Sequence, residues 1–220
     1  MKIEGVIFDM DGTITDSEIY SRKLFLSAMA ERGFPTDEHF YSLIIGANRV
    51  SGIKKISEIT KDDNISIEIL DSLIVLMDEA FRNNRIRLKK GVAEIISFLR
   101  FHNIPMALAT SANMAKVIKS FSSNNMEVPF SHIITGDRVK HGKPNPEIFI
   151  RAAKMLNADI KNCVVIEDSY LGLQAALASQ AVTIMVPDLQ PPTEQLISQG
   201  VIVKKDLLEV LEFLKQYVTL

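Results

Sequence analysis

The chain has 220 residues, 47% of them hydrophobic, which is enough for one large α/β domain or a core with a smaller module, and nothing in the composition indicates disorder. A formal net charge of −2 excludes a strongly basic footprint, so the expected partner is a small molecule, nucleotide-sized at most, and not a nucleic acid. The lone Cys163 has no partner within the chain, no cationic leader precedes the first apolar run, and no segment approaches the length of a membrane span. The expectation is therefore a soluble cytoplasmic protein with a buried thiol and no membrane attachment.

In chain order, the run 6–8 (Val6, Ile7, Phe8) has the look of a strand buried on both faces of a parallel sheet. The rhythm then changes, because residues 17–33, 37–45, 49–59 and 65–81 read as helices, the first closed by Gly33 and followed by Pro35. Four helices can bury a small core of their own. Residues 16–87 are accordingly assigned to an inserted helical module, and 1–15 with 88–220 to the main domain, with joints at 14–17 and 83–91 expected to act as hinges. Further on, strand-like runs at 105–109, 132–135, 163–166 and 182–186, with a short extra one at 201–203, alternate with helical patterns at 94–101, 114–121, 147–156 and 207–214. That alternation implies βαβ units and an α/β fold with a doubly wound parallel sheet. There is no internal repeat and no low-complexity tract.

Chemistry-bearing residues gather at the ends of these strands, where an open α/β sheet binds its ligands. Asp9 and Asp11 end the first run. Side chains two apart on a strand point the same way, so the two carboxylates would repel unless a hard cation such as Mg²⁺ lay between them or one took up a proton and became a general acid. An Asp-Gly turn after a strand would give the same letters. Thr110 and Ser111 follow the second run, just before a helix whose N–H groups would suit an anion, or they are a plain helix cap. Lys143, in Gly142-Lys143-Pro144-Asn145-Pro146-Glu147, is held between two prolines before a helix, where its charge would ease attack of one anion on another; the alternative is a solvated lysine in a turn. Glu167 and Asp168 end a fourth run. With Asp9, Asp168 would offer one hard cation two carboxylates, a substrate phosphate, a backbone carbonyl and waters completing an octahedron at about 2.1 Å; otherwise these residues cap the next helix. No Gly-rich nucleotide loop, His/Cys cluster or Gly-x-Ser-x-Gly elbow is present. His39, His102, His132 and His141 are scattered and read as surface or cap residues.

Taken together, the four segments resemble the signature motifs of the haloacid dehalogenase superfamily, and they span nearly the whole chain. Residues 7–18, Ile7-Phe8-Asp9-Met10-Asp11-Gly12-Thr13-Ile14-Thr15-Asp16-Ser17-Glu18, are similar to its β-phosphoglucomutase-like sugar-phosphatase branch, in which the inserted helices form a four-helix cap. The resemblance implies that Asp9 is the nucleophile, forming an aspartyl phosphate, and that Asp11 is the general acid and base. It also implies Mg²⁺ held by Asp9, the backbone carbonyl of Asp11 and Asp168, with Glu167 binding the ion or orienting its shell. Thr110, Lys143 and the N–H groups of Met10 and Ser111 would hold the phosphoryl group. The second aspartate speaks against dehalogenation, and nothing marks Lys54 or Lys55 as a Schiff-base lysine. In Gly46-Ala47-Asn48-Arg49, the spacing from Gly46 to Arg49 resembles the branch's contact with the distal part of the substrate, although a surface arginine reads the same way. Mutases of this branch carry a histidine on the first cap helix, and Ser21 stands there. The implied activity is a Mg²⁺-dependent phosphatase of a small phosphomonoester, a sugar or polyol phosphate, acting as a monomer or weak homodimer. A hexose-phosphate mutase and a nucleoside monophosphate phosphatase are the alternatives.

Overall fold

The computed structural model describes residues 2–217. Strands β1 (Gly5–Phe8), β2 (Met106–Thr110), β3 (His132–Thr135), β4 (Cys163–Glu167), β5 (Val182–Met185) and β6 (Ile202–Val203) form one sheet in the order β3-β2-β1-β4-β5-β6. Every pairing is parallel. This is the doubly wound α/β arrangement that the sequence implies, and its crevice lies where the strand order reverses beside β1. Phe8 is in register with Leu108 on one side and Ile166 on the other. The residues that follow these strands therefore reach the carboxyl edge at one level.

Between β1 and the rest of the sheet lie helices α1 (Glu18–Ala30), α2 (Glu38–Ser42), α3 (Arg49–Thr60) and α4 (Asp63–Arg82). They share an apolar core that includes Phe25, Met29, Tyr41, Ile56, Ile69, Met77 and Phe81. Asn48 and Asp62 cap α3 and α4 through side-chain oxygens, each closing an otherwise open helix start. Helix α2 is shorter than the expected 37–45. Ile44 N–H and Ala47 N–H make only three-residue turns, to Tyr41 O and Ile44 O, and Gly46 has φ +75°, so the chain leaves the helix early and dips toward the sheet. The two joints are laced to each other: Asp16 N–H donates to Arg87 O at 2.8 Å and Lys89 N–H to Ile14 O at 2.8 Å, with a bridge between Thr15 and Leu88. The segments expected to act as hinges thus enter and leave the helical module as one paired ribbon.

The alternation of β1 sets the two faces of the sheet. Val6 and Phe8 pack in a cluster with α5 (Val92–Phe101), α6 (Met114–Ser122) and α10 (Leu207–Lys215), while Ile7 packs in another with α7 (Glu147–Met155) and α8 (Tyr170–Ser179). A short α9 (Glu194–Ser198) closes a smaller cluster with Met185. No helix among the described residues is long and apolar enough to cross a membrane.

Cys163 begins β4, fully buried, and burial pushes its thiol up to about 12. At pH 8 it is therefore a shielded, protonated thiol. Iodoacetamide is expected to leave native protein unmodified over an hour at that pH and to label it stoichiometrically in denaturant; rapid labelling of the native state would contradict the buried placement.

Candidate active site

Asp9 leaves β1 at the carboxyl edge with its N–H donating to Ile166 O at 3.0 Å. The chain then turns sharply, with Ile14 N–H and Thr15 N–H both donating to Met10 O, at 2.8 and 2.9 Å. Gly12 has φ +83°, and a Cβ there would lie 2.1 Å from Asp168 Oδ2, so the turn closes over Asp168 only because this residue has no side chain. Thr13 Oγ1 donates to Asp168 Oδ1 at 3.2 Å. The carboxylate of Asp11 takes a separate place. Its Oδ1 accepts from Ser17 Oγ at 2.5 Å and pairs with Lys116 Nζ at 2.8 Å.

At two points a neighbour does the capping that would have explained the motif away. Asn113 caps α6, its side chain accepting from Lys116 N–H at 3.0 Å, which leaves the buried Thr110 and its neighbour Ser111 outside the helix. Ser169 caps α8, its Oγ accepting from Gly172 N–H at 3.1 Å, so Asp168 is not the cap. Glu167 is held from all sides: Oε2 accepts from Asp168 N–H, Ser169 N–H and Ser169 Oγ, each at 3.0 Å, and Oε1 accepts from Lys143. A Cβ on Gly172 would lie 1.8 Å from Glu167 Oε1, so the first turn of α8 is shaped around this carboxylate.

Lys143 is 2% exposed, which removes the solvated-turn reading. Its Nζ lies 2.5 Å from both Asp9 Oδ1 and Glu167 Oε1, and 5.1 Å from the centre of the Phe149 ring. The loop that carries it is pinned by Glu147, whose carboxylate accepts from Lys140 N–H and His141 N–H at 3.0 and 2.9 Å. Burial works to lower the pKa of Lys143, but Asp9 and Glu167 outweigh it and raise the value, so the ammonium is fixed. For Asp9, burial pushes the carboxyl well above its ordinary range, Lys143 pulls it back, and Glu167 raises it again. Asp168 is likewise raised well above its ordinary range, by burial and then by the charges of Glu167 and Asp9. Oxygens of Asp9, Glu167 and Asp168 lie within 4.8 Å of one another. Three buried carboxylates with one ammonium between them, all oxygen donors, suit a hard divalent cation.

Over this edge the helices enclose a cavity of about 550 Å³ lined by Asp9, Asp11, Thr110 and Ser111 from the sheet side and by Glu18, Ser21, Tyr41, Gly46 and Arg49 from the helical side. Gly46 is a docking point: its carbonyl accepts from Ser111 Oγ at 2.8 Å, and a Cβ there would lie 2.5 Å from Ser169 Oγ. Arg49 Nη1 pairs with Asp71 at 2.7 Å. A family model for haloacid dehalogenase-like hydrolases matches residues 6–186. The chain belongs to this family. It is 30% identical over 180 residues to a phosphorylated carbohydrates phosphatase of Thermotoga maritima, spanning 79% of this chain and 80% of that one. Hexitol phosphatase A of Escherichia coli is 27% identical over 179 residues, 81% of each chain. A β-phosphoglucomutase from Clostridium difficile superposes with a TM-score of 0.82 over 98% of this chain and 97% of that one; at 21% identity the likeness is one of fold.

Three residues at this haloacid dehalogenase-like site carried no role in the sequence. Lys116 is a first-turn lysine of α6 that reaches Asp11, and only the position of the Asn113 cap could have signalled it. Glu18 and Tyr41, on α1 and α2, are both buried and meet through Tyr41 OH donating to Glu18 Oε2 at 2.6 Å. Glu18 closes the quoted motif, but its meeting with Tyr41 spans 23 residues and has no local signal. Burial, then the charge of Asp11, raises Glu18 from 4.5 to about 7, against the pull of the Tyr41 hydrogen bond. The folded state thus holds a proton that the unfolded chain releases, so this group's stabilising contribution is full below pH 4.5 and is lost as pH rises through about 7. In metal-free buffer, Glu18→Gln is expected to gain up to about 3 kcal/mol over the parent between pH 4.5 and pH 8, read from urea unfolding. A difference that does not change with pH would contradict the shift.

Proposed function

We propose that this hydrolase is a Mg²⁺-dependent phosphatase that removes the phosphoryl group from a sugar or polyol phosphate. The observation that carries the proposal is the buried group of Asp9, Glu167 and Asp168 around Lys143, of which Asp9 reaches the wall of a cavity that Asp11 also lines. Asp9, Asp168 and the backbone carbonyl of Asp11 would hold the cation, which when bound neutralises charge on the phosphoryl oxygens.

Asp9 would attack phosphorus through a carboxylate oxygen, forming an aspartyl phosphate as the ester P–O bond breaks. Asp11 would give its proton to the departing alcohol oxygen and later take one from the water that cleaves the acyl phosphate, regenerating Asp9. Lys143 donates into the negative charge between Asp9 and the phosphoryl group, and Thr110 with the N–H groups of Met10 and Ser111 would orient its oxygens. Ser17 and Lys116 hold the carboxylate of Asp11 apart from those of the cation group. Residues 16–87 would act as the cap and 1–15 with 88–220 as the catalytic core, with Gly46 and Arg49 on the substrate side of the cap. Under the same reading the enzyme is a cytoplasmic monomer or weak homodimer. Ser21 lines the cavity without an imidazole, which favours hydrolysis over mutase chemistry.

With Mg²⁺ present, Asp9→Asn is expected to lower kcat by at least about 10³-fold and Asp11→Asn by about 10²–10⁴-fold, measured by phosphate release from p-nitrophenyl phosphate. EDTA is expected to abolish turnover of the parent enzyme and excess Mg²⁺ to restore it. Turnover near the parent rate in Asp9→Asn would overturn the covalent route.

A further inference from the structure

We infer that the leaving group taken by this cavity is an uncharged polyhydroxy alcohol, because the two outer cations on the cavity wall, Arg49 and Lys119, are already matched by carboxylates of the chain itself. The inference rests on the phosphatase reading and narrows its substrate to neutral monophosphates, against bisphosphates and phosphorylated sugar acids. Among the described residues the lining cations are Arg49, Lys116 and Lys119. Arg49 pairs with Asp71 at 2.7 Å, Lys119 with Asp78 at 2.5 Å, and Lys116 with Asp11 at 2.8 Å. Asp71 and Asp78 are seven residues apart on α4, two turns along one face, so a single helix presents both of the matching charges.

The outer two pairs are partly exposed, with side-chain exposures of 46% and 55% for Arg49 and Asp71 and 44% and 34% for Lys119 and Asp78. Each is weak by itself. The selection comes instead from the charge of the wall. A second phosphate or a carboxylate on the substrate would have to displace Asp71 or Asp78 from its cation and would then face the displaced carboxylate across a few ångströms, an exchange with little net attraction. Glu18 adds further negative charge as it ionises. Hydroxyl groups meet no such opposition: Glu18 can accept from them, and the Tyr41 hydroxyl and the cations can bind them without giving up their partners.

The test compares glucitol 6-phosphate with 6-phosphogluconate, which differ at the far carbon by a hydroxymethyl group against a carboxylate, with p-nitrophenyl phosphate as a third arm and Mg²⁺ throughout. The parent enzyme is expected to favour the polyol phosphate by at least about tenfold in kcat/KM. Asp71→Asn, which releases Arg49, is expected to shift that ratio toward the sugar acid by about threefold to tenfold, mainly through its KM. A structural defect would lower both rates and leave the ratio in place. A parent ratio near one or favouring the acid, or a ratio unmoved by both Asp71→Asn and Asp78→Asn, would overturn the inference. No phosphate release in any arm, p-nitrophenyl phosphate included, would overturn the phosphatase reading itself and this inference with it.

Discussion

The ammonium of Lys143 sits 2.5 Å from both Asp9 and Glu167, with Asp168 close by, and all four groups are buried at the carboxyl edge of the sheet. Taking one carboxylate out of water costs several kcal/mol even after relaxation, and one lysine cannot offset three. The site is therefore short of positive charge in proportion to its burial. In the proposed function that shortage is what would draw a divalent cation to the strand end, and with it a phosphoryl group. Neutralising the group with further lysines would have relieved the repulsion and closed the site to metal.

Holding like charges together takes support from residues with no part in the chemistry. Gly12 lets the turn after β1 close over Asp168, and Gly172 leaves room for Glu167 under α8. Ser169 and Asn113 satisfy the helix starts, so neither Asp168 nor Thr110 is spent on capping. Glu147 ties down the loop that carries Lys143. Each of these fixes an oxygen or a nitrogen whose position the repulsion would otherwise spoil. The inserted helices add enclosure, meeting the residues that follow the sheet strands through Gly46 and Ser111 and through a bond from Gln190 Nε2 to Ser42 O at 3.1 Å.

Much of this was legible in the sequence because it is local. Buried parallel strands write themselves as apolar runs, so all six strands could be placed within a residue, and the acids, hydroxyls and lysine at their ends fell on one edge once the strand order was known. The break in the βα rhythm marked the four inserted helices. Less legible was whatever depends on two distant segments meeting. The early end of α2 is imposed by the descent of Gly46 onto Ser111, not by its own apolar spacing. The pairing of Arg49 with Asp71 joins α3 to α4, and the Glu18–Tyr41 bond joins α1 to α2; each is a long-range contact that leaves no local signal in the sequence.

If buried negative charge, incompletely offset by Lys143, creates the cation site, removing one carboxylate must relieve the repulsion and weaken Mg²⁺ binding together. Thermal unfolding of the parent and of Asp168→Asn, each with and without Mg²⁺, tests it most directly. A ligand that binds only the folded state raises its midpoint, and removing one of the repelling carboxylates should do the same without metal. The account expects Asp168→Asn to melt higher than the parent in EDTA and to lose most of the Mg²⁺-dependent rise that the parent shows. An equal Mg²⁺ shift in both proteins, with no gain for Asp168→Asn in EDTA, would contradict it.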